Sequence, residues 1–111
     1  MRPFLYRFYT WLLISYANLG QRFFQMRLKK RKDQLAQADL SYLNLSGTDL
    51  SHADLRDTNL SYTDLTGVNL SQADLSRANL RGAKVTPEQL QQARSLEGAT
   101  LPNGEKRYIL N

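Results

Sequence analysis

Leucine recurs at every fifth position through the middle of the chain, from Leu40 to Leu80, and Val85 continues the series. The residue two positions earlier is Ala, Thr or Val in every repeat except the one that holds Leu43. A period of five matches neither the helical period of about 3.6 residues nor the strand period of two. These aliphatic residues share one side only if the chain turns a corner in each repeat. The predicted core is Leu40, Leu45, Leu50, Leu55, Leu60, Leu65, Leu70, Leu75, Leu80 and Val85.

The polar positions of the repeat suit such corners. The residue before each leucine is Asp or Asn from Asp39 to Asn79, and Ser, Thr and Gly are frequent in the two positions after it. These residue types favour turns because their side chains bond to nearby backbone or because they tolerate unusual dihedrals. Four five-residue sides close one coil, so ten repeats predict a body of two and a half coils.

Residues that lie one coil apart in the sequence are compatible neighbours. Stacked coils bring them about 4.8 Å from each other. Tyr42 then lies over Tyr62, and Asp57 lies over Arg77 with the opposite charge. Both stacks favour four sides per coil. We expect the ion pair to be exposed and to contribute at most about 1 kcal/mol.

The repeats resemble those of the pentapeptide-repeat family, whose pattern is Ala, Asp or Asn, Leu and two further residues. Stretches such as 53–55, 73–75 and 78–80 match it as written. The resemblance implies a mainly β fold, a right-handed quadrilateral β-helix. The C-terminal sequence also looks like the ending of many cyanobacterial members, which suggests a short member of that type.

Three segments are expected along the chain: an N-terminal helix over 1–35, a solenoid over 36–87 and a C-terminal cap over 86–111. Open solenoid ends expose core and strand edges, so both ends need covering. We predict a short capping helix over 86–94, with Thr86 as the N-cap and Gln89 completing a capping box. Asn103-Gly104 predicts a turn. Residues 105–111 either pack back on the cap or remain free.

The N-terminal segment is basic and aromatic. Residues 1–33 hold eight Lys or Arg and one acid, and six of the first 16 residues are aromatic. This composition is typical of a membrane interface or a partner groove. Three interpretations stay open: a helix that spans a bilayer, a helix that lies in the interface or in a membrane complex, and a helix that only caps the solenoid. The residues predicted to dock are Phe4, Phe8, Trp11, Leu12, Tyr16, Phe23, Arg27, Lys29, Lys30, Arg31 and Lys32.

The sequence offers little for catalysis. His52 is the only histidine and there is no cysteine, so a zinc site and a nucleophile–base pair are not expected. Five of the six aspartates of residues 34–85 occupy the position before a repeat leucine, and phosphate-binding and dinucleotide-binding motifs are missing. We therefore expect no enzyme activity, cofactor, metal or small-molecule substrate. The basic charge follows an apolar segment rather than a groove, which disfavours nucleic acid as a partner.

The expected function is that of a non-catalytic accessory or scaffold subunit. The N-terminal segment attaches it to a membrane or membrane complex, with the solenoid on the cytoplasmic side and a thylakoid complex as host if the protein is cyanobacterial. The alternative is a cytoplasmic protein-binding module or inhibitor, including the DNA-mimic type known in the family. The residues expected to contact a protein partner are Tyr42, Tyr62, His52, Arg56, Asp57, Arg77 and Arg81.

Overall fold

The structure, a computed structural model, describes residues 32–107. It holds a short 3₁₀ helix, Lys32–Gln34, and one α-helix, Pro87–Gln91, named α1 here. In place of longer strands it has single-residue bridges, and parallel bridges recur every fifth residue from Asp39 to Lys84. Regular secondary structure is therefore sparse, because each side of the coil contributes one bridging residue before the chain turns.

The bridges join residues 20 apart and so define four sides per coil. Asp39 pairs with Asn59, and Asn59 pairs in turn with Asn79. Backbone bonds follow the same spacing: the Leu40 N–H donates to the Asn59 carbonyl at 2.8 Å, and the Leu60 N–H donates to the Asn79 carbonyl at 2.7 Å. This spacing confirms the prediction of four five-residue sides.

The predicted core is confirmed for its nine leucines, each of which is 0% exposed. The small residues two positions earlier are also buried, whereas Leu43 is only partly buried. Val85 departs from the prediction because it packs against the core but remains partly exposed. It is the last residue of the regular series, and α1 begins two residues later. Leu35 adds a fully buried residue at the other end.

Helix α1 replaces a strand in the last coil. Its N-cap is Thr86, and the capping box is present: the Gln89 N–H donates to the Thr86 hydroxyl at 3.1 Å, and the Gln89 Oε1 accepts from the Thr86 N–H at 2.9 Å. Leu90 buries its side chain against the core. The helix is shorter than the predicted 86–94, because the Arg94 N–H already donates to the Ala73 carbonyl and the chain has rejoined the coil.

The parallel ladder continues beyond α1. Ser95 bridges to Asp74, and Thr100 bridges to Asn79, 21 residues away in both cases. The chain then turns at residues 102–103 and returns antiparallel, with Thr100 opposite Lys106. The predicted Asn103-Gly104 turn is therefore confirmed, and residues 105–107 pack back on the coil. The fate predicted for 108–111 lies outside the described residues.

At the N-terminal end the structure differs from the predicted α-helix over its last residues. Lys32–Gln34 form a 3₁₀ turn, and the Lys32 carbonyl accepts a bond from the Asp54 N–H at 3.1 Å, as a residue of a preceding coil would. The rest of the predicted N-terminal helix lies outside the described residues.

Candidate functional site: the outward faces of the solenoid

The Asp and Asn residues before the leucines serve the corners of the coil. In the nine repeats from Asp39 to Asn79, the side-chain Oδ1 accepts a hydrogen bond from the backbone N–H two residues later, at 3.0–3.2 Å. The next residue has a positive φ of 58–73° in each of these repeats. The regular spacing of carboxylates therefore follows from the fold, and it does not indicate a catalytic pair.

One side of the solenoid gathers six charged residues that form three ion pairs. We call it the charged face; its residues are Asp54, Arg56, Asp57, Asp74, Arg77 and Arg94. Arg56 holds Asp54 with two bonds of 2.8 and 2.7 Å. Arg77 holds Asp57 of the preceding coil with two bonds of 2.9 and 3.1 Å, which confirms the predicted stack. Arg94 contacts Asp74 at 3.0 Å.

These pairs keep the carboxylates ionised. The bond from Arg56 holds the pKa of Asp54 below its usual range, and the bond from Arg77 does the same for the pKa of Asp57. Burial opposes the ionised form of Asp74, but bonds from Ser76 and the charge of Arg94 still lower its pKa. Asp54 and Asp74 can therefore stack directly, although both are negative.

These ion pairs involve three of the residues predicted to contact a protein partner. Arg56, Asp57 and Arg77 are exposed, as expected. Each already holds a partner within the charged face. A protein partner that used them would have to displace an internal pair, so they are less available than the sequence suggested.

Tyr42 and Tyr62 form the most exposed apolar feature of the described solenoid. Their rings are stacked with centroids 5.1 Å apart and planes 14° from parallel, as predicted. They remain 75% and 50% exposed. Gly82 occupies the next position of the column, where a Cβ would overlap the Tyr62 ring. We call Tyr42 and Tyr62 the tyrosine stack.

The two remaining predicted contacts lie at separate places. His52 is exposed at a corner with φ 62°, and its backbone N–H donates to the Ser71 carbonyl. Arg81 is exposed, and its guanidinium lies beside Gly104 of the C-terminal turn. The predicted contact residues therefore do not form one patch.

Lys32 has a different role from the predicted one. It was grouped with the basic docking residues, but its ammonium donates to the Ser51 carbonyl at 2.8 Å, to the Ser51 hydroxyl at 3.1 Å and to Asp49 at 3.3 Å. The side chain is only 20% exposed. The hydroxyl and backbone N–H of Ser51 together with Lys32 hold the pKa of Asp49 well below its usual range. Lys32 is thus part of the first coil. The other ten predicted docking residues, from Phe4 to Arg31, lie outside the described residues.

A groove at the C-terminal end was missed by the sequence reasoning, which expected only a filled core. We call it the end groove. It has a volume of about 640 Å³ and lies between α1 and the C-terminal turn. Its apolar walls include Val85, Leu90, Leu96 and Leu101, and Arg107 lies at its edge. A loss of the five-residue pattern after Val85 is the only sequence signal of a changed geometry there.

Comparison with known proteins identifies the family. The model of pentapeptide repeats matches in eight copies, over residues 34–72 and 53–86. A crystal structure of alr5209, a pentapeptide repeat protein from Nostoc PCC 7120, is 37% identical over 69% of this chain and 70% of that chain, with a TM-score of 0.35. The chain belongs to the pentapeptide-repeat family.

A second similar pentapeptide-repeat protein is HetL from the cyanobacterium Nostoc sp. strain PCC 7120, which is involved in heterocyst differentiation regulation. It is 33% identical over 65% of this chain, with a TM-score of 0.23. This chain spans only 40% of its length. Comparison with curated proteins finds no match.

Residues 32–107 hold neither a cluster of metal ligands nor a membrane-spanning helix. No group of three His, Cys, Asp or Glu in that part of this pentapeptide-repeat protein could hold a metal ion. The helices described there are also too short or too polar to cross a bilayer. Pentapeptide-repeat proteins are usually non-catalytic.

Proposed function

We propose that this pentapeptide-repeat protein is a non-catalytic docking subunit that residues 1–31 attach to a membrane or a membrane complex. One observation carries the proposal, the division of the chain into two chemically different parts. Residues 1–31 contain seven Lys or Arg, eight aromatic residues and no acid. In the solenoid, by contrast, the acids of the charged face are held by its arginines.

A basic segment rich in aromatic residues suits an anionic membrane surface. Aromatic rings insert at the level of the headgroups, and each Lys or Arg near the surface adds about 1 kcal/mol of attraction. Since Lys32 is engaged in the first coil, the basic cluster available for this role is Arg27 together with Lys29, Lys30 and Arg31.

The solenoid then presents a surface to a second partner. An already ordered surface loses little conformational entropy on binding. The tyrosine stack is the best candidate for the contact, because large exposed aromatic residues are enriched among the residues that dominate binding energy.

The attachment is tested by flotation of the full chain with lipid vesicles. One set contains phosphatidylcholine alone and the other adds phosphatidylglycerol. We expect the chain to float with the anionic vesicles and less as salt rises. A Trp11→Glu/Leu12→Glu variant should remain in the dense fractions. A Tyr42→Ser/Tyr62→Ser variant, which removes two apolar side chains from the solenoid instead, should float as the unchanged protein does.

The flotation result distinguishes attachment to lipid from the alternative function. If the unchanged chain stays dense with both vesicle types, lipid attachment is wrong. The alternative is then a soluble protein-binding module or inhibitor. The DNA-mimic form of that alternative is less favoured, because residues 34–85 carry six acids against four basic residues, a net charge of only −2.

Two details of architecture belong to the same proposal. We infer that the coil is right-handed and that the N-terminal segment is α-helical. If the chain shares the cyanobacterial origin of the two similar proteins, a thylakoid membrane with the solenoid on its cytoplasmic side is the proposed setting. Isolation of the native complex with its neighbours would test that setting.

A further inference from the structure

We propose that the end groove is a docking site for the chain's own residues Tyr108-Ile109-Leu110. The groove is an apolar opening of about 640 Å³ at the C-terminal end of the described solenoid. Val85, Leu96 and Leu101 line it and stay only partly buried, although each packs against the core. Apolar surface left in water costs about 25 cal/mol per Å², so a cover is favourable.

The path of the chain leads to this groove. After the C-terminal turn, the Glu105 carbonyl accepts from the Leu101 N–H at 2.7 Å, and the Arg107 N–H donates to the Ala99 carbonyl at 2.7 Å. The Gly98 N–H then donates to the Arg107 carbonyl at 2.6 Å. The returning segment is therefore fixed up to Arg107, and Arg107 itself lies on the groove wall.

The distances suit the three residues that follow. An extended chain advances about 3.3 Å per residue, so residues 108–110 reach about 10 Å beyond Arg107. The Gly98 bond to the Arg107 carbonyl shifts the antiparallel pairing by one residue, so Ile109 falls opposite Leu96 on the groove wall if the pairing continues. The side chains themselves are aromatic and aliphatic, and they are the only three consecutive apolar residues after Val85.

The absence of cysteine allows a direct test. Ala93 lines the groove and is small, so an Ala93→Cys variant of the full chain places one thiol inside it. The reaction rate of that thiol with a soluble disulfide reagent reports whether the groove is covered. We expect a slow reaction in the otherwise unchanged chain and a faster one when Ile109→Ser and Leu110→Ser are added.

A matched control removes two large apolar side chains elsewhere. Tyr42→Ser and Tyr62→Ser in the Ala93→Cys background should leave the thiol rate unchanged. The Ile109→Ser/Leu110→Ser change should also lower the thermal midpoint by about 4 °C or more, because two apolar side chains leave the groove. An unchanged far-UV spectrum checks that each variant is folded.

Three results would overturn the proposal. The thiol could react at the same rate with and without the tail substitutions. It could react as fast as a Thr66→Cys thiol on the exposed surface, which would mean an uncovered groove. It could also be protected only at high protein concentration, which would assign the groove to a second copy of the chain.

Discussion

Two buried threonines at equivalent positions of the repeat should respond in opposite ways to the same substitution. Thr63 donates its hydroxyl to the Leu40 carbonyl of the preceding coil at 2.7 Å. The Thr48 hydroxyl is buried as well, but no acceptor for it lies among residues 32–107. Val68 stands one coil below Thr48 in the same column and is 3% exposed, so valine fits this position.

The structure sets the sign and the size of both effects. Thr63→Val removes a hydrogen bond and leaves the Leu40 carbonyl without this donor, which should cost about 1–3 kcal/mol. Thr48→Val replaces an unpaired buried hydroxyl by a methyl group. Burial of an unpaired polar group is unfavourable by a similar amount, so this variant should be neutral or up to about 1 kcal/mol more stable.

The assay is urea unfolding followed by far-UV circular dichroism, with the three proteins at one concentration and pH. We expect the order of midpoints to be Thr48→Val, then the unchanged protein, then Thr63→Val. The slopes should be equal, since the fold is unchanged. If Thr48→Val is destabilised as much as Thr63→Val, the assignment of an unsatisfied hydroxyl at Thr48 is wrong.

Three further predictions follow from the coil. Leu60→Asp should unfold the solenoid, because an ionised carboxylate would replace a fully buried rung, and retained β circular dichroism would contradict the inward placement. Gly82→Ala should lower the urea midpoint more than Gly47→Ala. Both glycines have a positive φ, which costs alanine about 1–2 kcal/mol. Only at Gly82 would the added Cβ also overlap the Tyr62 ring. Bonds from the residue two positions later lower the pKa of Asp64, so the stability it contributes is present above its unfolded pKa of about 3.9 and is lost as pH falls below that value. Asp64→Asn keeps the hydrogen-bond acceptor but does not titrate, so its urea midpoint should fall less than that of the unchanged protein as the pH drops below about 3.9. An equal fall in both proteins would mean that ionisation of Asp64 does not contribute to stability.

The five-residue period was enough to predict the body of the fold. It placed nine leucines inside and four sides in each coil, because a corner in every repeat is the only geometry that keeps such a column together. The neighbours one coil apart are found by adding 20 to a residue number. The tyrosine stack and the pair of Asp57 with Arg77 are therefore sequence predictions that the structure confirms.

The charged face was only partly predictable. Arg77 lies one coil from Asp57, so the register revealed that pair. Arg94 reaches Asp74 across a coil lengthened by α1, and the sequence has no period there from which to calculate a neighbour. Arg56 turns back to Asp54 within its own repeat, a choice of rotamer that spacing does not decide. For the same reason the sequence could not predict the end groove, whose shape depends on how α1 and the C-terminal turn pack.

At both ends of the described solenoid, a side-chain donor replaces a backbone N–H donor of the hydrogen-bond ladder. From Asn59 to Asn79, the N–H of the residue before each leucine donates to the preceding coil; the Asn69 N–H, for example, donates to the Thr48 carbonyl at 3.1 Å. One coil later Gln89 lies in α1, and its backbone N–H is used by the capping box. Its side-chain amide donates to the Val68 carbonyl at 2.9 Å instead.

The N-terminal end shows the same substitution with a different side chain. The His52 N–H donates to the Ser71 carbonyl, so the residue one coil before His52 should donate to the Ser51 carbonyl. That residue is Lys32, and it does so with its ammonium, at 2.8 Å, rather than with its backbone. A long side-chain donor at the register position thus continues the ladder where the backbone leaves it. Lys32 therefore belongs to the solenoid because it holds this register position, and the segment available for docking ends at residue 31.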